Sequence, residues 1–518
     1  MDLHLCCLLD SWALSLAGIV VVVFLLLWLR RREAEDYQRR TGIPAPEGIL
    51  PLIGHLYQVI KMGVDDYERK WFNEKKTKII VSWYGKTPLI TVADPEIAKH
   101  VLVKDFPYFQ DRPRRIYTMT QTPVNKGVFF HYGSHWKRIR SILTPTFSTG
   151  KLKMTTHDIN RCSANLADKM ENMAKAKENV EVKQLYGGFT LDAIAATAFG
   201  LDVDSINNPD SSFIKNIKEI FQRGMKPWRR ICITLASVFP SLYPVLRIFN
   251  LTFFNKENVG FFVRQCQAMI EDRKTESSEV CRHVDFLQLM VNAELDDQSL
   301  QDQHINSGQK KLTNDEIIGQ AFLFFVAGYE TTANTMNFVS YELAVNQEVQ
   351  DRVVQEIKDQ IGKDEPNYEN VNKLQYMEQV ILETLRMYPP LPRLTREIGE
   401  TVVIKDYTFL KGGTVVIPVY GLHHNPDYWP DPEKFDPDRF ENSKNVQNKF
   451  YYMPFGLGPR MCLGMRLAML ELKIALVHVL RRVRFVPCQE TQIPLKVITN
   501  KGLITVEKPI KLAFELRD

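Results

Sequence analysis

Cys462 stands in the segment FGLGPRMCLGMRLAMLELKIALVHVL, with Gly456, Gly458 and Gly464 around it and a strong amphipathic helical pattern just after it. A cysteine at a helix amino end meets backbone N–H groups and the positive end of the dipole, which favour thiolate. No Cys or His lies at zinc-binding spacing from it. A solitary thiolate in a glycine-rich bed suits one large flat metal ligand, haem iron with a Cys axial ligand. A lone cysteine is by itself more often a small buried hydrophobe. The surrounding pattern Phe455-x-x-Gly458-x-Arg460-x-Cys462-x-Gly464 shifts the reading toward a ligand.

A second polar group interrupts an apolar helix. Thr313 with Glu316 forms a capping-box pattern, and Leu312 and Ile317 are placed as a hydrophobic staple. The pattern predicts a helix to about Ala344, some 32 residues or roughly 48 Å. Its first half is apolar nearly all round and so belongs in the middle of the fold. Gly328, Glu330, Thr331 and Thr332 fall inside it. Glycine costs ~1 kcal/mol against alanine, and a buried carboxylate needs a partner. The bland account is a kink with satisfied side chains; the functional one is a polar notch facing a reaction centre. Elsewhere Glu383 and Arg386, three residues apart, share a helix face before Pro389-Pro390.

The elements that must hold these residues are mostly helical. Strand signals occur in three places: IIVSWY and LITVAD on either side of Gly-Lys-Thr-Pro, the stretch Thr401–Val419 turning at Gly412-Gly413, and a last hairpin turning at Asn500–Gly502. No repeat or Ser/Gly-rich linker divides the chain after Pro51. The expected architecture is mainly α with small β-sheets in one large domain over residues 52–518. A net charge of +5 over 518 residues leaves no nucleic-acid footprint. Eight cysteines at this length make no disulfide framework, and a reducing compartment fits the body.

Ser11–Leu29 carries no charge, and IVVVVFLLLWL fills its second half. Nineteen residues at ~1.5 Å rise span ~28 Å, enough for a thin bilayer core. Trp12 and Trp28 mark the ends, and Arg30, Arg31 and Arg32 follow, so the body faces the cytosol. A cleaved leader would want its basic residues first and a small-x-small site after. Residues 1–32 are therefore expected to form an uncleaved single transmembrane helix with a basic stop. Residues 33–51 are read as a proline-rich spacer in which Pro44, Pro46 and Pro51 keep the chain extended.

Five signatures in one order make the chain resemble the cytochrome P-450 superfamily along nearly its whole length. They are WxxxR at Trp136 and Arg140, AGYETT from Ala327 to Thr332, ExxR at Glu383 and Arg386, PDRF at Pro437–Phe440, and the cysteine segment. The Thr144-Pro145-Thr146-Phe147 and STGKLK segments resemble family three, subfamily A; ETLRMYPP and GLHHNPDYWP also resemble thromboxane synthase. The resemblance implies haem b ligated by Cys462, with Phe455 covering the sulfur and the Gly464 amide bonding it. It implies propionate binding by Arg112, Trp136, Arg140, Arg396 and Arg460. Ala327 and Gly328 would border the oxygen groove, with Thr331 and Glu330 relaying protons to bound dioxygen. Glu383, Arg386 and Arg439 would form a structural network under the cysteine loop.

The function so implied is oxygen insertion into lipophilic steroid, fatty-acid or xenobiotic substrates. Electrons would come from NADPH through an NADPH–haemoprotein reductase, with cytochrome b5 as a second donor, at the endoplasmic reticulum membrane. Lys137 and Arg138 are candidate docking cations. The aromatic stretch Val238–Phe262 would roof a pocket open to lipophilic molecules, and Tyr108–Phe130 would form another wall. The Asn250-Leu251-Thr252 sequon should be silent on the cytosolic side. One alternative is an endoperoxide isomerase that needs no reductase, disfavoured because the Glu330-Thr331 pair serves oxygen activation. Another is a haem-binding protein without turnover.

Overall fold

The computed structural model describes residues 2–114, 120–208, 256–275, 285–292, 311–442, 449–499 and 502–517, a few isolated residues between 209 and 255, and only the backbone of residues 2–20. The helices that bear on the site are α1 (Asp2–Thr41), α2 (Gly133–Leu143), α3 (Thr149–Ala176), α4 (Val182–Phe199), α5 (Asn314–Val345), α6 (Gln375–Met387), α7 (Val419–His423) and α8 (Met465–Leu480).

The expected capping box forms at α5. Thr313 Oγ1 accepts the Glu316 N–H at 3.2 Å, and the Glu316 carboxylate accepts the Thr313 N–H at 3.0 Å. From Thr332 to Ala344 every residue of α5 is buried. It packs against α4, α6 and α8 in the main apolar core, while α8 lies along α3. The amphipathic pattern read after Cys462 gives way to burial on nearly all sides, because α8 fills the space between α3 and α5.

The larger sheet collects β1 (Ile79–Tyr84), β2 (Thr87–Val92), β3 (Leu394–Glu397) and β4 (Thr414–Ile417) in the order β1-β2-β4-β3. The β1–β2 hairpin turns tightly, with Tyr84 opposite Thr87. The Thr401–Val419 stretch turns at Gly412, whose φ is +84, as expected, but its hairpin lies elsewhere. Val402–Ile404 pairs with Tyr407–Phe409 across Lys405, whose φ is +52, and β4 leaves to run parallel to β2. Lysine in the left-handed region is no sequence signal for a turn, so the glycines drew the reading instead. The last hairpin pairs Val497–Ile498 with Thr505–Val506 as expected. A three-stranded sheet places Lys511–Leu516 between Val180–Glu181 and Val483–Pro487.

At the amino end α1 does not stop at the arginines. It continues to Thr41, and Ala34 and Tyr37 join the core beneath the larger sheet. Arg30 is buried there, donating to Gly85 O, with Tyr37 edge-on to Trp83 at 5.5 Å. The helix breaks only before Pro44, which proline's missing N–H and fixed φ explain. Among the described residues no helix is long and apolar enough to cross a membrane. About half of the Ser11–Leu29 run belongs to the part of α1 described by backbone alone.

Candidate functional site

Three anchors build the cysteine loop. Gly458, at φ +72, lies so near the backbone of Leu102 that a Cβ would sit 2.0 Å from the Leu102 carbonyl oxygen, so only glycine fits. The Cys462 N–H donates to Phe455 O at 2.9 Å, and Phe455 itself is half-buried against the main core. At the start of the loop the Met453 N–H donates to His423 Nε2 at 3.0 Å. Cys462 is solvent-accessible. Burial nevertheless dominates its thiol and pushes its pKa up, against the pull of the Gly464 N–H, the Arg140 guanidinium and the Met465 N–H. A sulfur that is accessible yet desolvated by its surroundings lies in a recess of the protein rather than on open surface.

Four arginines crowd that recess. Burial, then the charges of Arg396, Arg460 and Arg140, hold Arg112 well below the usual guanidinium range. Burial pulls Arg396 down to about 10, and burial together with Arg396 pulls Arg460 down to about 9. Arg140 is lowered by burial and favoured by Cys462. Arg460 is held by Gln110 O and His131 O, both at 2.9 Å, by Asp111 Oδ1 at 3.2 Å, and by the Trp136 ring at 4.2 Å. Arg112 donates to Phe129 O at 3.1 Å and lies over the Phe129 ring. Yet among the described residues Arg396 Nε and Arg460 Nη1 are buried without any acceptor. Like charges gathered in low dielectric with orphaned donors call for an anionic ligand. Two carboxylates beside a thiolate-binding metal, as haem b presents, satisfy both needs. The residues present fit that group.

The helix α5 is buried over most of its length but opens in its middle. Ala327 is exposed, and Leu323 and Thr331, four residues to either side of it, are half-exposed along the same face. Thr331 Oγ1 donates to Ala327 O at 2.6 Å. Glu330 turns elsewhere: its Oε1 accepts from Lys183 Nζ of α4 at 2.7 Å and from Asn334 Nδ2 at 3.2 Å. The acid and the alcohol are neighbours in sequence on different faces. Gly328 also differs from expectation, since a Cβ there would meet Ile194 Cδ1 at 3.1 Å. Its missing side chain lets α5 approach α4 rather than widening the hollow.

Beneath the loop Glu383 and Arg386 form a fully buried bidentate pair, with bonds of 2.7 and 2.8 Å. Arg439 stands 3.4 Å from Glu383 Oε1, and the Asp436 N–H bonds the same oxygen. The expected structural network is thus present. Arg386 Nη1 also donates to His423 O at 2.9 Å, a link the sequence reading did not include.

Arg138 is not the docking cation expected of it. It is buried, pairs with Glu316 and bonds Lys311 O, locking α2 to the start of α5, while Lys137 is exposed. In the proposed roof, Tyr243, Phe249, Phe253 and the Asn250 sequon lie outside the described residues. Phe254 and Phe262 pack edge-on against Phe322 at 5.1 and 5.3 Å, which makes them core here. Residues 115–119 of the other wall are likewise outside the described set.

Comparison with known proteins agrees with this geometry. A model of the Cytochrome P450 family matches residues 44–514. The chain is 37% identical to Cytochrome P450 3A29 of Sus scrofa over 511 residues, 98% of this chain and 97% of that one. It is 35% identical to Cytochrome P450 3A9 of Rattus norvegicus over 514 residues, covering 99% and 98% of the two chains. It is 34% identical to Cytochrome P450 3A5 of Homo sapiens over 514 residues, covering 98% and 97%.

The chain belongs to the cytochrome P450 family.

It is accordingly an oxidoreductase of the monooxygenase type, built on a haem-thiolate cofactor. Within this P450, the residues that sequence reasoning missed are His423, Lys183 and Asp111. Each acts through a partner more than 100 residues away or through a backbone carbonyl, and neither leaves a spacing pattern.

Proposed function

We propose that this P450 inserts one oxygen atom of O2 into small lipophilic molecules of the steroid, fatty-acid or xenobiotic kind, with electrons from NADPH through a membrane-bound reductase. The observation that carries it is the accessible but desolvated Cys462 thiol beside a group of arginines whose buried Arg396 Nε and Arg460 Nη1 lack acceptors among the described residues. Cys462 would ligate haem b, and Arg112, Arg140, Arg396, Arg460 and Trp136 would hold its carboxylates. When bound, the haem activates dioxygen and supplies the oxidising power for unactivated C–H bonds.

The chain's own residues orient, dry and protonate. Leu323 and Ala327 present an apolar surface beside Thr331. The Thr331 hydroxyl gives its hydrogen to Ala327 O, which leaves its lone pairs free to accept a proton-carrying water from the hollow. Glu330, held by half-exposed Lys183, reaches solvent on the α4 side and can pass protons inward through water rather than by direct contact. A second reading, an isomerase that needs no proton delivery, is favoured by the placement of Glu330 and Thr331 on different faces of α5. The anchor expected over residues 1–32 fits a microsomal protein whose body faces the cytosol.

The test is reduction under carbon monoxide, followed by turnover. Haem-loaded protein should show the strongly red-shifted ferrous-carbonyl band, and Cys462→Ala should lose it; an unchanged spectrum would end the ligand assignment. With reductase and a panel of steroids, fatty acids and drugs, NADPH should disappear only with oxygen present. Conversion of an endoperoxide without NADPH or reductase would establish the isomerase instead.

A further inference from the structure

His423 ends α7 with its side chain fully buried. Its Nδ1 lies 3.0 Å from Arg386 O, and its Nε2 takes the Met453 N–H at 3.0 Å. A carbonyl needs a donor and an amide needs an acceptor, so one neutral tautomer, with hydrogen on Nδ1, satisfies both. The ring stacks on Tyr452 at 5.2 Å, and Tyr452 in turn donates to Leu382 O at 2.9 Å. From Met453 the bonds continue into the cysteine loop. Met453 O accepts the Gly456 N–H at 3.0 Å, and Phe455 O accepts the Cys462 N–H at 2.9 Å. On its other side the His423 carbonyl is gripped by Arg386 Nη1, the arginine of the buried Glu383 pair.

We infer that His423 is a positioning residue that transmits the rigidity of the Glu383–Arg386 pair to the cysteine loop and thereby fixes the approach of the Cys462 sulfur to its metal. The inference rests on Cys462 being the ligand. Among the described residues, no hydrogen bond or ion pair joins the Glu383–Arg386 pair to residues 453–464; the imidazole links it to the loop's backbone. The important bond is the one to Met453, because it alone reaches the loop. The bond to Arg386 O sets the tautomer that makes Nε2 an acceptor. A well-packed neutral ring suits this task, since burial holds the His423 imidazole far below its ordinary titration range.

Two substitutions separate the two ring nitrogens. A glutamine amide reaches where Nε2 stands and can accept from Met453. An asparagine amide reaches only where Nδ1 stands and can bond Arg386 O alone. In full-length haem-loaded protein, His423→Gln should keep the red-shifted ferrous-carbonyl band. His423→Asn should retain haem but move absorbance to the position of a weakened or lost thiolate bond, changing the ratio of the two bands by about tenfold, the equivalent of one lost buried hydrogen bond. A wild-type band ratio in His423→Asn, or equal loss in both variants, overturns the inference. Should the asparagine variant fail to accumulate, amide hydrogen exchange on the wild-type holoprotein decides: Met453 should exchange as slowly as Cys462, and exchange at the rate of an exposed loop overturns it. Failure of the ligand assignment is distinguishable, because then the wild type itself lacks the red-shifted band.

Discussion

Among the described residues, Arg396 and Arg460 each keep a buried guanidinium N–H without an acceptor, and the charge of Arg396 adds to burial in lowering the proton affinity of Arg460. Removing one of them should have opposite effects on the two forms of the protein. Arg396→Gln should weaken haem retention by about tenfold to a hundredfold, the range for a charged hydrogen bond, as read by haem transfer to an apo-globin. The apoprotein's thermal midpoint should hold or rise, because a like charge has left the hollow. A lower apoprotein midpoint with unchanged haem retention would make Arg396 a framework residue only. Thr331 is the second residue-scale test. Thr331→Ala should lower product formed per NADPH by about tenfold or more, a modest share of a general acid–base contribution. Thr331→Ser, which keeps the hydroxyl, should recover most of it; equal coupling in the alanine variant would remove the hydroxyl from the reaction. These residues were legible in the sequence because their motifs are local. Lys183 was not, since it meets Glu330 across 147 positions and only the packing of α4 on α5 brings them together.

Between elements, the path from the α1 end to the larger sheet runs through His55. Its Nδ1 accepts the Trp83 N–H at 3.1 Å and its Nε2 faces Pro46 O at 3.2 Å, so the neutral ring ties the proline segment to β1. Burial lowers its pKa to about 4. The unfolded chain takes up a proton near pH 6.5 while the folded chain does not, so this contribution is complete above about 6.5 and is lost as pH falls toward 4. The loss at pH 4 is on the order of 3 kcal/mol. The thermal midpoint should therefore drop more steeply between pH 6.5 and 4 in the wild type than in His55→Gln; parallel curves would show that His55 carries no such linkage. The proline segment was readable as extended from its composition alone. That a histidine four residues past Pro51 fastens it to a strand was not, because the fastening uses backbone groups that every residue possesses.

For the molecule as a whole, α1 joins two regions with different requirements. Its first part is the apolar run expected to lie in a bilayer, and its last turns are core, with Arg30, Ala34 and Tyr37 packed on the sheet. Deleting residues 1–29 should weaken membrane association and leave the haem spectrum and thermal midpoint unchanged. Deleting residues 1–41 should also destabilise the body by about 2–4 kcal/mol, the worth of burying a tyrosine and its neighbours. Equal stability of the two truncated proteins would show that the docking of α1 adds nothing. The sequence by itself determined the mainly helical single domain and the limits of α5, because caps and periodicity are local properties of the chain, while the proposed roles of Cys462 and the arginines came with the family resemblance. Only the tertiary structure decided that Gly328 serves helix approach, that Arg138 is a buried lock rather than a docking charge, that Glu330 answers to Lys183, and that His423 links the buried ion pair to the cysteine loop. Each of these depends on which surfaces meet and what water is expelled between them, and no spacing along one strand of sequence encodes that.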